Sequence, residues 1–376
     1  MRLLHHLVLP PLCATILLSG AANALTGQAV LVKERAFLIE PASQTVLLNQ
    51  EADTIADPAS LTKLMTAYVV LDAVQQKRLA LTQTVPVPRE VMQVEGSRMF
   101  LEAGEQVSIE TLLRGMLTVS ANDAALLLAS ATAGNVGLFV AQMNAQAQAL
   151  GMHHSAFKNP HGLSEAGHHS TARDLATLAI RLWEDFPKAQ AYFAEPRYTH
   201  RAISQNNRHP LLGKDGVDGL KTGHTEAAGY CLVSTATRAG RRLFAVHLGA
   251  KNEKRRAQAS KELLDYGFNA FALHTLVVPP QPFLVANGAP QYSEAIAPQN
   301  PWLITLPRHS PEPKLLPVLS VISAPVQARQ VIGQVHLQLG EHLLAQQNLL
   351  SKEAVHPISA PLQWWRTLKI KLIKNG

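Results

Sequence analysis

Thiols are almost absent from this chain. Its 376 residues include two cysteines, Cys13 and Cys231. Cys13 falls in an amino-terminal stretch that reads as a removable export signal, so the mature protein keeps one thiol and forms no internal disulfide. Aromatic residues make up 5% and charged residues 16% of the chain. Nowhere is a basic run interleaved with stacking aromatics, which argues against a nucleic-acid partner despite a formal charge of +7. There is no internal repeat or low-complexity tract. No H-E-x-x-H or paired Cys/His spacing occurs, so no metal and no other cofactor is expected, and His153-His154 and His168-His169 read as solvated loops. What is abundant is apolar surface: 47% hydrophobic residues with both charge signs describe a globular protein with room for two domains.

The first residues, "MRLLHHLVLPPLCATILLSGAANALTG", combine a short basic start, an apolar run and the small-residue sequence Ala22-Asn23-Ala24. The expectation is a signal over 1–24, cleaved after Ala24. Cys13 lacks the small residues that precede a lipidated cysteine. An exported protein with a basic balance fits an anionic lipid surface or an acidic wall polymer.

Texture changes near residue 275. Before it, over 25–274, helical patterns alternate with short strands: "RAFLIEPASQTVLLNQ" suggests a hairpin, "SIETLLRGMLTVSANDAALLLASATA" a pair of helices and "TARDLATLAIRLWEDF" another helix. "GYCLVSTATRAGRRLFAVHLGAK" reads as two antiparallel strands turning at Ala239-Gly240. The fold class expected here is mixed α/β. Over 275–356 the chain is rich in Pro and β-branched residues, and "GQVHLQLG" places Val335, Leu337 and Leu339 on one face and Gln334, His336 and Gln338 on the other. That part is expected to be a small all-β sandwich or barrel acting as a spacer or interaction module.

Chemistry is concentrated in three short motifs. "DPASLTKLMTAYVV" opens like a helix, with Asp57 as N-cap, Pro58 at the first position, and Leu61, Leu64, Met65 and Tyr68 at helical spacing, predicting one buried face. Ser60 and Lys63, three apart, share a face. "SAN" at Ser120, Ala121 and Asn122 falls in a helix-to-helix turn, and "KTG" at Lys221, Thr222 and Gly223 at the start of a strand. In this order they match the S-x-x-K, S-x-N and K-T-G set of β-lactamases and penicillin-binding proteins. Serine is a poor nucleophile until a neighbouring base takes its proton, and a lysine serves only if burial and nearby cations lower its pKa. The backbone N–H groups of Ser60 and His224 form the expected oxyanion hole. Ser120 relays a proton to the leaving amine, Asn122 binds the substrate's peptide group, and Lys221 and Thr222 meet a free carboxylate.

"DPASLTKLMTAYVV", "GSRMFLEAGEQV", "LTVSANDAALLLA", "NPHGLSEAGHHSTARDLA" and "VDGLKTGHTEAAGYCLVSTA" resemble the corresponding blocks of the low-molecular-mass penicillin-binding D-alanyl-D-alanine carboxypeptidases. The resemblance implies an α+β catalytic domain with an antiparallel sheet flanked by helices, followed by a small all-β C-terminal domain. It implies a serine peptidase that removes the terminal D-alanine from peptidoglycan pentapeptides, with β-lactams as acylating pseudo-substrates. A β-lactamase would share the motifs, but no E-x-x-L-N segment for a deacylating water lies between Asn122 and Lys221, and the extra β domain is superfluous there. A catalytically idle wall-binding or β-lactam-sensing protein would not need an intact nucleophile and base.

The tail over 357–376, "PLQWWRTLKIKLIKNG" at its end, sets Leu362, Trp365, Leu368 and Leu372 on one helical stripe with Trp364 beside it, and Arg366, Thr367, Lys371 and Lys374 on the other side. Lys369 and Ile370 blur the division. The run is too short and too charged to span a bilayer and suits an anionic membrane surface. The expected location is periplasmic, attached peripherally to the outer face of the cytoplasmic membrane.

Overall fold

The computed structural model describes residues 32–359. The export signal expected at 1–24 and the tail stripe from Leu362 to Leu372 lie outside the described residues. The chain divides after Phe271 into two units.

The first unit is built on a five-stranded antiparallel sheet. β1 (Arg35–Glu40) and β2 (Thr45–Gln50) form the expected hairpin. β3 (Val217–Thr225), β4 (Gly229–Arg238) and β5 (Arg241–Ala250) complete it in the order β2-β1-β5-β4-β3. Ala239 and Gly240, at φ 47° and 78°, make the tight turn between β4 and β5, matching the right-handed twist of the strands they join. The K-T-G residues lie in mid-strand, because β3 begins at Val217. Gly219 marks a register shift against β4 and hides the strand's beginning from a sequence reading.

Among the described residues, six helices of 10 to 18 residues flank the sheet: α1 (Lys63–Gln75), α2 (Ile109–Thr118), α3 (Asn122–Ala133), α4 (Val136–Ala149), α5 (Ala172–Asp185) and α6 (Glu253–Ala270). Side-chain oxygens of Ser108, Asn135, Thr171 and Asn252 accept from the third backbone N–H beyond each, capping α2, α4, α5 and α6, each cap contributing about 1 kcal/mol. α6 covers one face of the sheet, where Leu263, Leu264 and Phe268 join Leu38, Leu243 and Ala245. On the other face Phe37, Val233 and Phe244 join the cluster containing α1, α3 and α5. α1 departs from expectation: residues 63–71 are all buried, not one face of them. It is the central helix of the unit, wrapped by its neighbours, and an apolar sequence on every side is what such a position demands.

The second unit is all-β. β6 (Gln281–Ala286), β7 (Tyr292–Ile296), β8 (Lys314–Leu319), β9 (Ile322–Ser323), β10 (Val331–Leu339) and β11 (His342–Ser351) form one sheet in the order β8-β10-β11-β7-β6-β9. Its two edge strands, β8 and β9, are joined by only Ser320 and Val321, so the sheet curls back towards itself. Val335, Leu337 and Leu339 are buried as the alternation requires.

Candidate active site

Ser60 sits in a single 3₁₀ turn, Ala59–Thr62, that leads into α1. Ala59 adopts φ +46°, a left-handed conformation that costs a non-glycine residue energy. Asp57 holds it there: one carboxylate oxygen accepts from the Ala59 N–H at 2.7 Å. The other accepts from Ser164 Oγ at 2.5 Å and Thr225 Oγ1 at 3.5 Å. One side chain thus ties together the serine turn, the 159–168 loop and the end of β3. Read from sequence, Asp57 was only a helix cap.

Lys63, the first residue of α1, is fully buried. Its Nζ donates to Ser60 Oγ at 2.9 Å and to the His161 carbonyl at 2.5 Å. Burial first, and then the neighbouring Lys221 charge, push its pKa well below the ordinary lysine value, with Asp123 acting in the opposite direction. Polar side chains just before α1 and in its first turn face the same loop. Thr66 Oγ1 donates to the Pro160 carbonyl at 2.6 Å, and Thr62 Oγ1 lies 2.7 Å from His168 Nε2. His168 Nδ1 accepts from the Lys158 N–H, and burial pushes the ring's pKa down to about 4. The neutral ring therefore carries its proton on Nε2 and donates it to Thr62. His153 and His154 are exposed as expected, whereas His168 is a buried structural histidine and not a solvated loop residue.

The loop reaches the serine turn because of Gly162. A Cβ there would stand 1.9 Å from the Ala59 carbonyl oxygen, and φ is +85°. Gly223 plays the same part on the opposite wall, where a Cβ would meet the Pro58 carbonyl at 3.0 Å and Ala59 Cβ at 3.2 Å. β3 is an edge strand, so its free edge, bearing Thr222, Gly223 and His224, lines the cleft beside Ser60. The His224 ring lies over Tyr230 with centroids 3.9 Å apart.

A second Ser–Lys pair completes the centre. Ser120, at φ +65° between α2 and α3, accepts from Lys221 Nζ at 2.9 Å. Lys221 also donates to the Thr222 carbonyl at 3.0 Å. Its pKa is pushed down to about 7 by burial, with the Arg208 and Arg256 charges adding to the effect. Asn122 is held by its backbone N–H to the Ser97 carbonyl at 2.7 Å and by Nδ2 to the Glu95 carbonyl at 2.6 Å. Its buried Oδ1 has no partner among the described residues. Asp123 fastens the same 95–101 loop, accepting from the Met99, Leu101 and Ala124 N–H groups.

Ser60, Ser120, Asn122, Thr222, Gly223 and His224 line one cleft of about 680 Å³, while Lys63 and Lys221 stand behind the two serines. All eight residues singled out in the sequence therefore meet. Sequence reasoning missed Arg208 and Arg256, which line one part of the cleft. Arg208 Nε donates to the Val119 carbonyl at 3.1 Å. Arg256 is buried, its Nε unpartnered among the described residues. No local pattern marks either arginine in the sequence. The His161 carbonyl was equally invisible, since a backbone atom has no residue signature.

A family model described as D-alanyl-D-alanine carboxypeptidase, peptidase S11, matches residues 24–252. The D-alanyl-D-alanine carboxypeptidase DacC of Escherichia coli (strain K12) is 36% identical over 351 residues, spanning 88% of this chain and 86% of the relative. Penicillin binding protein 5 from Haemophilus influenzae superposes with a TM-score of 0.80 at 33% identity, covering 88% of this chain and 99% of that one. Penicillin binding protein 6B from Escherichia coli gives 0.75 at 31% identity, covering 87% and 98%.

Proposed function

The chain belongs to the D-alanyl-D-alanine carboxypeptidase family, peptidase S11, and is a penicillin-binding serine D,D-carboxypeptidase; from that premise we propose the parts its residues play. Ser60 Oγ attacks the carbonyl carbon of the penultimate residue of a peptidoglycan peptide ending in D-Ala-D-Ala, and its proton passes to Lys63 Nζ. The tetrahedral oxyanion is stabilised by the backbone N–H groups of Ser60 and His224; losing one such donor typically costs about 10² to 10³ in kcat. The C–N bond breaks, and the proton reaches the departing D-alanine nitrogen through the Ser120 hydroxyl. Water then hydrolyses the ester, releasing the tetrapeptide and restoring Ser60. β-Lactams acylate the same oxygen.

Lys221, Thr222 and the two arginines Arg208 and Arg256 make one part of the cleft cationic, which suits the substrate's terminal carboxylate. Asn122 Oδ1 is free to accept a substrate peptide N–H. Gly223 lets the strand close on the serine turn. The observation that carries the assignment is the 2.9 Å hydrogen bond from a fully buried lysine, its proton loosened by burial and a second ammonium, to a serine open to the cleft. Incubated with a pentapeptide ending in D-Ala-D-Ala, the mature protein should release free D-alanine and tetrapeptide in equal amounts. Intact pentapeptide after long incubation would overturn the reading.

The tail beyond Pro357 holds the enzyme at the outer face of the cytoplasmic membrane, because its tryptophans suit the lipid interface and its Lys and Arg the anionic headgroups. Every residue placed in the mechanism precedes residue 257. Ending the chain after Pro357 should move the protein from the membrane to the soluble periplasmic fraction with turnover of a soluble peptide intact. Continued sedimentation of the shortened protein with membranes would refute the anchor.

A further inference from the structure

An apolar strip runs across one end of the β unit, where four large side chains are exposed in neighbouring positions. Leu284 on β6 lies directly opposite Tyr292 on β7, and directly opposed residues point to the same face. Leu284 is 43% and Tyr292 66% exposed. On the other side of β6, the parallel pairing of Val285 with Ile322 brings Val321, one residue earlier in β9's approach, alongside Leu284. Val321 is 84% exposed. The Ser320 N–H donates to the Ile332 carbonyl, which extends the β8–β10 ladder and brings Val321 beside Val331, itself 51% exposed. Arg329, exposed, sits two residues before Val331. The strip follows from the curl of the sheet, because Val321 belongs to the two-residue seam between the edge strands.

The chain leaves the β unit at this same end. His356–Pro357 pairs with Gly288–Ala289, in the connection between β6 and β7. The Ile358 N–H donates to the Asn287 carbonyl, and the Ala324 N–H to the Ala286 carbonyl. The sequence that continues carries Trp364, Trp365, Arg366, Lys369, Lys371 and Lys374. A contiguous exposed apolar patch marks a contact surface, and its position beside a basic, tryptophan-bearing tail selects the contact. We propose that the strip of Val321, Val331, Leu284 and Tyr292 is a second lipid-contact site, seated on the anionic membrane surface that the tail engages. It rests on the reading of the tail as a lipid anchor. The strip is too small to hold the protein on a bilayer alone. Once the tail is bound, the strip is presented at high effective concentration and its contact becomes intramolecular. The β unit is then held at two points and cannot swing freely about its tail.

The test uses the full mature chain and vesicles of phosphatidylglycerol and phosphatidylethanolamine. The triple variant Leu284→Gln, Tyr292→Ser, Val321→Ser should bind about tenfold more weakly, with the salt dependence unchanged because the basic residues are untouched. Val321→Ser alone, at a position almost wholly in solvent, should give part of that loss. Release of D-alanine from a soluble pentapeptide should match the unmodified protein, and an unchanged Tm and circular dichroism spectrum of each variant should report that the β unit is still folded. Val321→Cys labelled with an environment-sensitive fluorophore should blue-shift on adding vesicles. Wild-type binding by the triple variant, or no blue shift, overturns the strip and spares the anchor. Tighter binding by the variant overturns it too, since the strip would then have been covering the tail. A change from dimer to monomer with vesicle binding unaltered would assign the strip to a second copy of the chain. Failure of the unmodified chain to bind vesicles overturns the anchor and the strip together.

Discussion

Ser60→Ala should leave the protein without a covalent penicillin adduct and lower D-alanine release by about 10⁶-fold, the loss typical of removing a nucleophile from a serine peptidase. The prediction discriminates because the cleft holds two Ser–Lys pairs of identical length, Ser60 with Lys63 and Ser120 with Lys221, each at 2.9 Å. Three features favour Ser60. It is the more exposed of the two serines. It lies in the 3₁₀ turn that leads into α1, where Asp57 takes the Ala59 N–H and the Pro58 carbonyl takes the Leu61 N–H, so that the N–H of Ser60 itself is the donor proposed for the oxyanion. Its lysine is fully buried and held well below the ordinary lysine range, first by burial and then by the Lys221 charge, while Lys221 stands near both Arg208 and Arg256, guanidinium groups that suit that part of the cleft to a carboxylate. Mass spectrometry of the treated protein should therefore find the adduct on the peptide containing Ser60. An adduct on Ser120, or undiminished labelling of Ser60→Ala, would reverse the assignment.

Some of this was legible in the sequence, for physical reasons that can be stated. The β4–β5 hairpin was visible because alternation and a Gly-containing turn are local signals, and Ser60 with Lys63 because i and i+3 on a helix must be neighbours. Ser120, Asn122 and Lys221 were legible only through the order of their motifs, since nothing local brings residues so far apart together. The encirclement of α1 was hidden, because an apolar helix looks the same whether one neighbour covers it or four. His168 looked like half of a solvated pair. Only the fold shows Lys158 and Thr62 satisfying both its ring nitrogens. The elements the sequence did not show, the His161 carbonyl and the arginines Arg208 and Arg256, are a backbone atom and common side chains whose place beside the cleft is set by the fold alone.

Lys63→Arg should lose acylation by penicillin and by peptide alike, by about 10³- to 10⁴-fold, because a guanidinium stays protonated in a protein and cannot accept the serine proton. Lys221→Arg keeps its cation and should be harmed less. The two lysines also leave opposite marks on the pH profile. As the proposed base, Lys63 must be neutral, so acylation should rise with pH as it gives up its proton, a step that burial and Lys221 have moved well below the ordinary lysine range. As the proposed carboxylate partner, Lys221 must be a cation, so carboxylate binding should weaken as pH passes through about 7, and Lys221→Arg should remove that alkaline fall. Stability carries the matching sign. Between about 7 and 10.5 the unfolded chain holds a proton on Lys221 that the folded protein has released, so stability rises with pH across that window. A bulkier arginine in a fully buried site invites the objection that Lys63→Arg simply fails to fold, and Lys63→Met answers it. Methionine fills similar volume without an ammonium to desolvate, so this variant should melt near the wild-type Tm, retain the near-ultraviolet circular dichroism of the native fold, and remain unacylated. Acylation of either Lys63 variant at the wild-type rate would remove Lys63 as the base.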